Sequence, residues 1–138
     1  MDVFISVSEA RQRTLEEAGT PVPAWQRIRA LIDTGATITC IDPVVLIDAL
    51  SLTPTGNTVI FTPSTSNQPV SKDLYDVGLW VPPGREGERE FWLIVRNMAV
   101  ICTDLLQAMG YHALIGRDVL EKCLFFYDGA SQRFTLAY

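Results

Sequence analysis

The sequence predicts a single mainly-β domain, a small closed or folded-over barrel with two or three short helices. Three observations carry that prediction. Most apolar residues fall in short runs that alternate with polar ones or are rich in β-branched side chains, the period and composition of strands. The helical patterns are few and short. The 138 residues suit one core, and neither an internal repeat nor an interdomain linker divides them.

The elements follow in order. "DVFISV" alternates and reads as a first strand. "SEARQRTLEEAG" reads as a short polar helix, with Ser8 as cap and Gly19 as stop. "TPVPA" breaks the chain, and Trp25 to Asp33 reads as a strand with Ile28, Ala30 and Ile32 on one side. Thr37 to Ile41 is β-branched and reads as a further strand. In "IDPVVLIDAL", Asp42 can cap a helix and Pro43 fits its first position. "TPTGN" is a turn, and Asn57 to Thr62 is a strand with Val59 and Phe61 facing one way. "PSTSNQP" is a polar loop tip. Val70 to Val81 is a long strand, with Tyr75, Val77, Leu79 and Val81 alternating against Asp76, Gly78 and Trp80. "PPGREGE" is a surface turn and "EFWLIVRN" another strand. "TDLLQAMG" is a short helix ending at Gly110, "ALIG" a buried strand, and "RDVLEKC" a helical turn or two. "LFFYDGASQRFTLAY" closes the domain as a hairpin turning near Asp128 and Gly129.

Composition excludes several functions. The formal net charge is −5, with Lys and Arg scattered, which argues against nucleic acid and anionic membrane as partners. No apolar run approaches the roughly 20 residues of a membrane span. "MDVFISVSEARQR" lacks a basic segment followed by an apolar run, so a cytoplasmic location is expected. Cys40, Cys102 and Cys123 are odd in number and widely spaced, which reads as reduced, buried thiols rather than a zinc site. His112, the only histidine, sits in "MGYHALIG" with no nucleophile motif nearby and reads as a turn residue. Phosphate-cradling glycine loops are missing from the sequence. No metal and no cofactor are expected.

One stretch does point to chemistry. In "ALIDTGATITCID" the apolar pair Leu31 and Ile32 runs straight into Asp33. A carboxylate at the end of an apolar strand is costly unless something stabilises it. Thr34 offers a hydroxyl to rigidify the turn, Gly35 lets backbone approach closely, and Ala36 keeps the wall small. A second stretch, "ALIGRDVL", places two apolar residues before a glycine and then opens a helix with Arg117 and Asp118.

The pairing of "LIDTGAT" at 31–37 with "LIGRDVL" at 114–120 resembles the retropepsin-like aspartic proteases, the single-domain family of retroviral proteases and their bacterial relatives. The resemblance covers about Val22 to Tyr138. It implies a retropepsin-like acid protease barrel and aspartic endopeptidase activity. It makes Asp33 the catalytic acid, Thr34 a lock between two active-site loops across a dimer, and the Gly35 carbonyl a receiver of substrate backbone. Leu114, Ile115 and Gly116 thread a ψ-shaped loop beside the site, followed by Arg117, which buttresses the dimer, and Asp118. Retroviral members usually carry an acid after D-T-G-A where this chain has Thr37, so Arg117 must find another partner. "TPSTSNQPV" takes the place of the family's glycine-rich flap tip.

Peptide hydrolysis by carboxylates needs two of them sharing one proton, one acting as base toward water and one as acid toward the carbonyl oxygen. The chain has one D-T-G and is too short for two such lobes. The expected enzyme is therefore a homodimer with Asp33 from each subunit at the two-fold axis. The other acids read as structural. Asp42 and Asp104 are helix caps, Asp48 an exposed helix residue, Asp76 a strand residue on the solvent face together with Gly78, and Asp118 a first-turn acid. A lid over the expected peptide or protein substrate would come from the hairpin between the two motifs, around Phe61, Pro63, Ser64, Thr65, Ser66 and Asn67. The terminal strand "RFTLAY" would be a risky open edge unless paired, either with the same strand of a partner or with Met1–Val7. The competing expectations are a non-catalytic module that dimerises or binds peptides, and an enzyme whose sole substrate is its own longer precursor.

Overall fold

The computed structural model describes residues 1–61, 68–83, 92–105 and 107–138. Among these residues, nine strands and two short α-helices follow in the order β1 (Asp2–Val7), α1 (Glu9–Glu17), β2 (Gln26–Ile32), β3 (Cys40–Ile41), β4 (Gly56–Ile60), β5 (Val70–Val81), β6 (Leu93–Cys102), β7 (Ala113–Ile115), α2 (Arg117–Leu120), β8 (Leu124–Asp128) and β9 (Arg133–Ala137). A π-helical segment, Val44–Ala49, lies between β3 and β4, and a single 3-10 turn, Gln107–Met109, precedes β7.

The mainly-β expectation holds, and the barrel is closed. Strands run β1-β2-β7-β3-β6-β5, and β1 pairs again with β5 to complete a ring of six. Closure removes the free edges that an open sheet of this size would expose. The ring is sealed by alternation. Val3, Ile5 and Val7 of β1 lie beside Tyr75, Val77, Leu79 and Val81 of the adjacent β5, with almost no exposure. Val45, Leu46 and Leu50, between β3 and β4, and Val119 and Leu120 of α2 join the same buried cluster. Each such side chain stabilises the fold by about 1.5–3 kcal/mol relative to leaving it in water.

Several local expectations hold for the reasons given. Ser8 caps α1 by accepting from the Arg11 N–H at 3.2 Å, and Gly19, at φ +64°, ends it. Asp42 caps the next segment through the Val44 N–H at 3.0 Å, although that segment winds as a π-helix. Asp48 and Asp76 are exposed. The three thiols are free as expected, but half-buried where full burial was expected.

Other expectations are corrected. The strand over Thr37–Ile41 shrinks to Cys40–Ile41, because the preceding backbone bonds to α2 rather than to a ladder. The strand read in "EFWLIVRN" continues through Cys102. The helix in "TDLLQAMG" is, among the described residues, a 3-10 turn, and there the Leu105 N–H and the Gln107 side-chain amide donate to buried Asp42. Gly78 is not solvent-facing. It sits at a bulge in β5, opposite Ser6, where an added methyl would meet the Trp80 ring at 2.5 Å and Ser6 Oγ at 2.8 Å. The indole that covers it stacks on Trp25 at 4.4 Å. Finally, "RFTLAY" pairs with β8, not with Met1–Val7, which lies inside the barrel between β2 and β5.

Candidate active site

The two sequence motifs, far apart in the chain, become neighbours. β7 lies between β2 and β3, parallel to the first (Leu31↔Leu114, Ile32↔Ile115) and antiparallel to the second (Cys40↔Leu114). The chain therefore leaves β2 at Asp33, wraps past the end of β7 and returns on its far side as β3. Asp33 marks the departure. Its N–H still donates to Ile115 O at 2.9 Å, one residue beyond the ladder.

The wrap is fixed to the N-terminal end of α2. Ala36 O accepts from the Arg117 N–H at 3.0 Å and Thr37 O from the Asp118 N–H at 3.3 Å. Such close passage needs Gly116: a methyl there would lie 2.8 Å from the Ile38 carbonyl carbon and 2.9 Å from Thr39 N. A buried network then locks the crossing. Thr39, with no exposed surface, accepts from the Gly116 N–H at 3.1 Å and donates its hydroxyl to Asp118 Oδ1 at 2.7 Å. Asp118 Oδ2 accepts from the Thr39 N–H at 2.9 Å. Asp118 is thus more than a first-turn helix acid, since it clamps the loop that carries Asp33.

Arg117 finds its partner in the residue that departs from the retroviral pattern. Its Nη2 donates to Thr37 Oγ1 at 2.9 Å, and its Nη1 reaches Thr34 O at 3.4 Å. A neutral hydroxyl replaces the acid, so this brace is weaker and depends less on salt than an ion pair would be.

Within this frame Asp33 is half-buried, less enclosed than the apolar run before it suggests. Its Oδ1 accepts from the Gly35 N–H at 2.9 Å, and its backbone O accepts from the Ala36 N–H at 3.2 Å, a tight Asx-type turn. A methyl on Gly35 would sit 3.1 Å from that carboxylate oxygen. Among the described residues the Gly35 N–H is the carboxylate's one hydrogen-bond partner. Thr34 is exposed, and its hydroxyl makes no hydrogen bond among the described residues.

Asp33 opens into a cleft of about 880 Å³. Gly35, Ala36, Thr37, Ile38, Cys40 and Leu114 line one side. Thr58 to Phe61, Val70 and Lys72, from the stem of the β4–β5 hairpin, line the other, with Ile101 and Thr103 between. Asp33 is the one acid among the described lining residues. Burial, then the charges of Asp118 and Asp33, pushes the Cys40 thiol up to about 11, so it is neutral and unreactive at neutral pH.

Of the predicted site residues, Asp33, Gly35, Ala36, Phe61 and Leu114 line this cleft. Thr34 lies at its exposed edge, while Ile115, Gly116, Arg117 and Asp118 build the support behind it. Phe61 is 67% exposed. Pro63, Ser64, Thr65, Ser66 and Asn67 lie outside the described residues. His112 does not line the cleft; its backbone joins Arg29 to Asp42. Among the described residues no three His, Cys, Asp or Glu side chains converge as a metal cage, and no helix is long and apolar enough to cross a membrane.

Sequence reasoning missed Thr39 and Lys72. Thr39 was legible only as a β-branched strand residue, and Lys72 as one polar position in an alternating strand. No protein-family model matches the chain, and no curated protein matches it significantly.

Proposed function

We propose that the chain is a retropepsin-like aspartic endopeptidase that works as a homodimer. One observation carries the reading: Asp33 is a half-buried carboxylate held by a single N–H donor, and it is the lone acid among the described residues of a peptide-sized cleft. A site with one such carboxylate lacks the pair that amide hydrolysis by carboxylates requires, and in this reading a symmetry mate supplies the second.

Two Asp33 carboxylates facing each other at about 3 Å share one proton. The ionised one takes a proton from a water held between them, and the water oxygen adds to the peptide carbonyl. The protonated one delivers its proton to the carbonyl oxygen. Collapse of the tetrahedral intermediate breaks the C–N bond, and a carboxyl proton goes to the leaving amine. The Gly35 N–H keeps one carboxylate oxygen oriented throughout.

The β8–β9 hairpin supports the dimeric part of the reading. Among the described residues it pairs with no barrel strand, and Leu124, Phe126 and Tyr127 are 73%, 65% and 61% exposed. The hairpin is tied to the barrel through Leu136 and through the Tyr138 hydroxyl, which donates to Val81 O at 3.2 Å and Pro82 O at 3.1 Å, but these exposed side chains stay bare. It follows directly from α2, which braces the Asp33 loop. A second copy would cover it. The uncovered Thr34 hydroxyl, at the exposed edge of the same loop, fits a contact across the two-fold axis.

The test is cleavage of a mixed peptide pool by the purified protein beside Asp33→Asn. Cleavage abolished by the substitution, with specific activity falling on dilution, is the expected result. Cleavage that persists in Asp33→Asn overturns the mechanism. Peptide binding with no cleavage at any concentration favours a non-catalytic module instead.

A further inference from the structure

The wall of the cleft contains a polar row in an apolar sheet. On β4 and β5, Thr58 stands directly opposite Lys72. The β5–β6 ladder ends at Leu74↔Ile101, and Thr103, two residues beyond it, lines the same cleft. Thr58, Lys72 and Thr103 thus come from three adjacent segments, and all three line the cleft. The neighbouring rows are apolar on both sides: Ile60 opposite Val70, and Leu74 opposite Ile101.

Lys72 is half-buried and the one cation among the described residues that line the cleft. Its neighbour Asp73 points to the opposite face of the strand by alternation and is exposed. The ion pairs among the described residues, Arg27 with Asp2 and Lys122 with Glu121, do not involve it. Its charge reaches the cleft floor, where it opposes the effect of Asp33 on the Cys40 thiol. Among the described residues Lys72 has no carboxylate partner, and two hydroxyl-bearing residues line the cleft with it. An incoming carboxylate would supply the missing counter-charge, and charge-assisted hydrogen bonds are the strong ones.

Resting on the peptidase reading above, we propose that Thr58, Lys72 and Thr103 form a subsite for a carboxylate of the bound peptide. Two sources share that chemistry: an Asp or Glu side chain, and the peptide's own C-terminus. In a symmetric dimer each half of the cleft carries one such subsite, so acidic residues are favoured on both sides of the scissile bond.

The experiment uses paired peptides on one neutral scaffold, with Glu or Gln placed at successive positions, each with a free or an amidated C-terminus. Cleavage is read on the native protein and binding on Asp33→Asn, so the subsite is decided even if no peptide is cut. Glu peptides should exceed their Gln counterparts by on the order of tenfold in kcat/KM or in affinity. The difference should vanish in Lys72→Gln and invert toward Lys peptides in Lys72→Glu. Thr58→Val and Thr103→Val, which keep the charge, should each weaken the preference without abolishing it. A preference tied to the free C-terminus rather than to an internal Glu assigns the subsite to the chain end. Equal handling of Glu and Gln in both formats, or a preference that survives Lys72→Gln, overturns the proposal. Failure of every peptide, neutral ones included, to be cut overturns the peptidase reading alone.

Discussion

Replacing Thr39 with Val removes one oxygen and nearly nothing else. That oxygen is fully buried, accepts from the Gly116 N–H and donates to Asp118. In Thr39→Val the Gly116 N–H loses its partner in a place water cannot reach, at about 1–3 kcal/mol. Asp118 loses one of its bonds but keeps the N–H groups of Thr39 and Val119, a smaller cost of about 1 kcal/mol. The expected loss is about 2–4 kcal/mol, or about 8–16 °C in melting temperature for a domain of this size. Urea unfolding followed by tryptophan fluorescence gives the number directly, and an unchanged slope would show that the unfolded state is the same. Thr37→Val is the control. It removes an exposed hydroxyl on Arg117 and should cost under about 1 kcal/mol. Parity between the two variants, or a loss below about 1 kcal/mol for Thr39→Val, would refute the idea that this network holds the Asp33 loop.

Gly116→Ala should cost about 1–3 kcal/mol by overpacking against Ile38 and Thr39, read as a lower melting temperature. A neutral outcome would mean the crossing can open without penalty. Leu124→Asp with Phe126→Asp should leave the barrel folded by circular dichroism yet monomeric in sedimentation equilibrium; a dimer that persists would move the interface elsewhere. The alkaline limit is also set. Burial raises Cys40 from the ordinary 9.0 to about 11, and raises Cys102, Cys123, Tyr75 and Tyr138 as well. Because folding favours their neutral forms, that stability is intact below about pH 9 and fades as pH climbs toward 11. Melting temperatures across that range should fall, less steeply in Cys40→Ala. A flat profile contradicts the assignment.

Much of the fold was legible because strand period and turn chemistry act locally. Tyr75, Val77, Leu79 and Val81 announce a buried face, and Ser8 and Gly19 bound α1 by capping rules that need no tertiary partner. The misreadings occur where distant residues decide. Thr37 and Ile38 have strand propensity, but α2 takes the backbone bonds that a ladder would use. Gly78 looked exposed because nothing local says that Trp80 folds back over it. In the candidate site, Asp33 stood out as an acid after an apolar run. Thr39 and Asp118 did not, since a hydroxyl and a carboxylate that meet only through the β2–β7–β3 crossing carry no mark in one dimension. The grouping of Thr58, Lys72 and Thr103 in one cleft needs the pairing of β4, β5 and β6 before it can be seen at all.

The crossing of β7 between β2 and β3 also orders events in time. The bonds that shape the Asp33 loop join residues 77 to 83 positions apart. Closing so long a span is slow, and synthesis delivers the N-terminal part first. Asp33 therefore leaves the ribosome as part of an unshaped segment and stays so until residues 113–118 have emerged and docked. A chain halted before Gly116 could not assemble this loop, however well its first strands had formed, so the site comes into being only as the barrel closes.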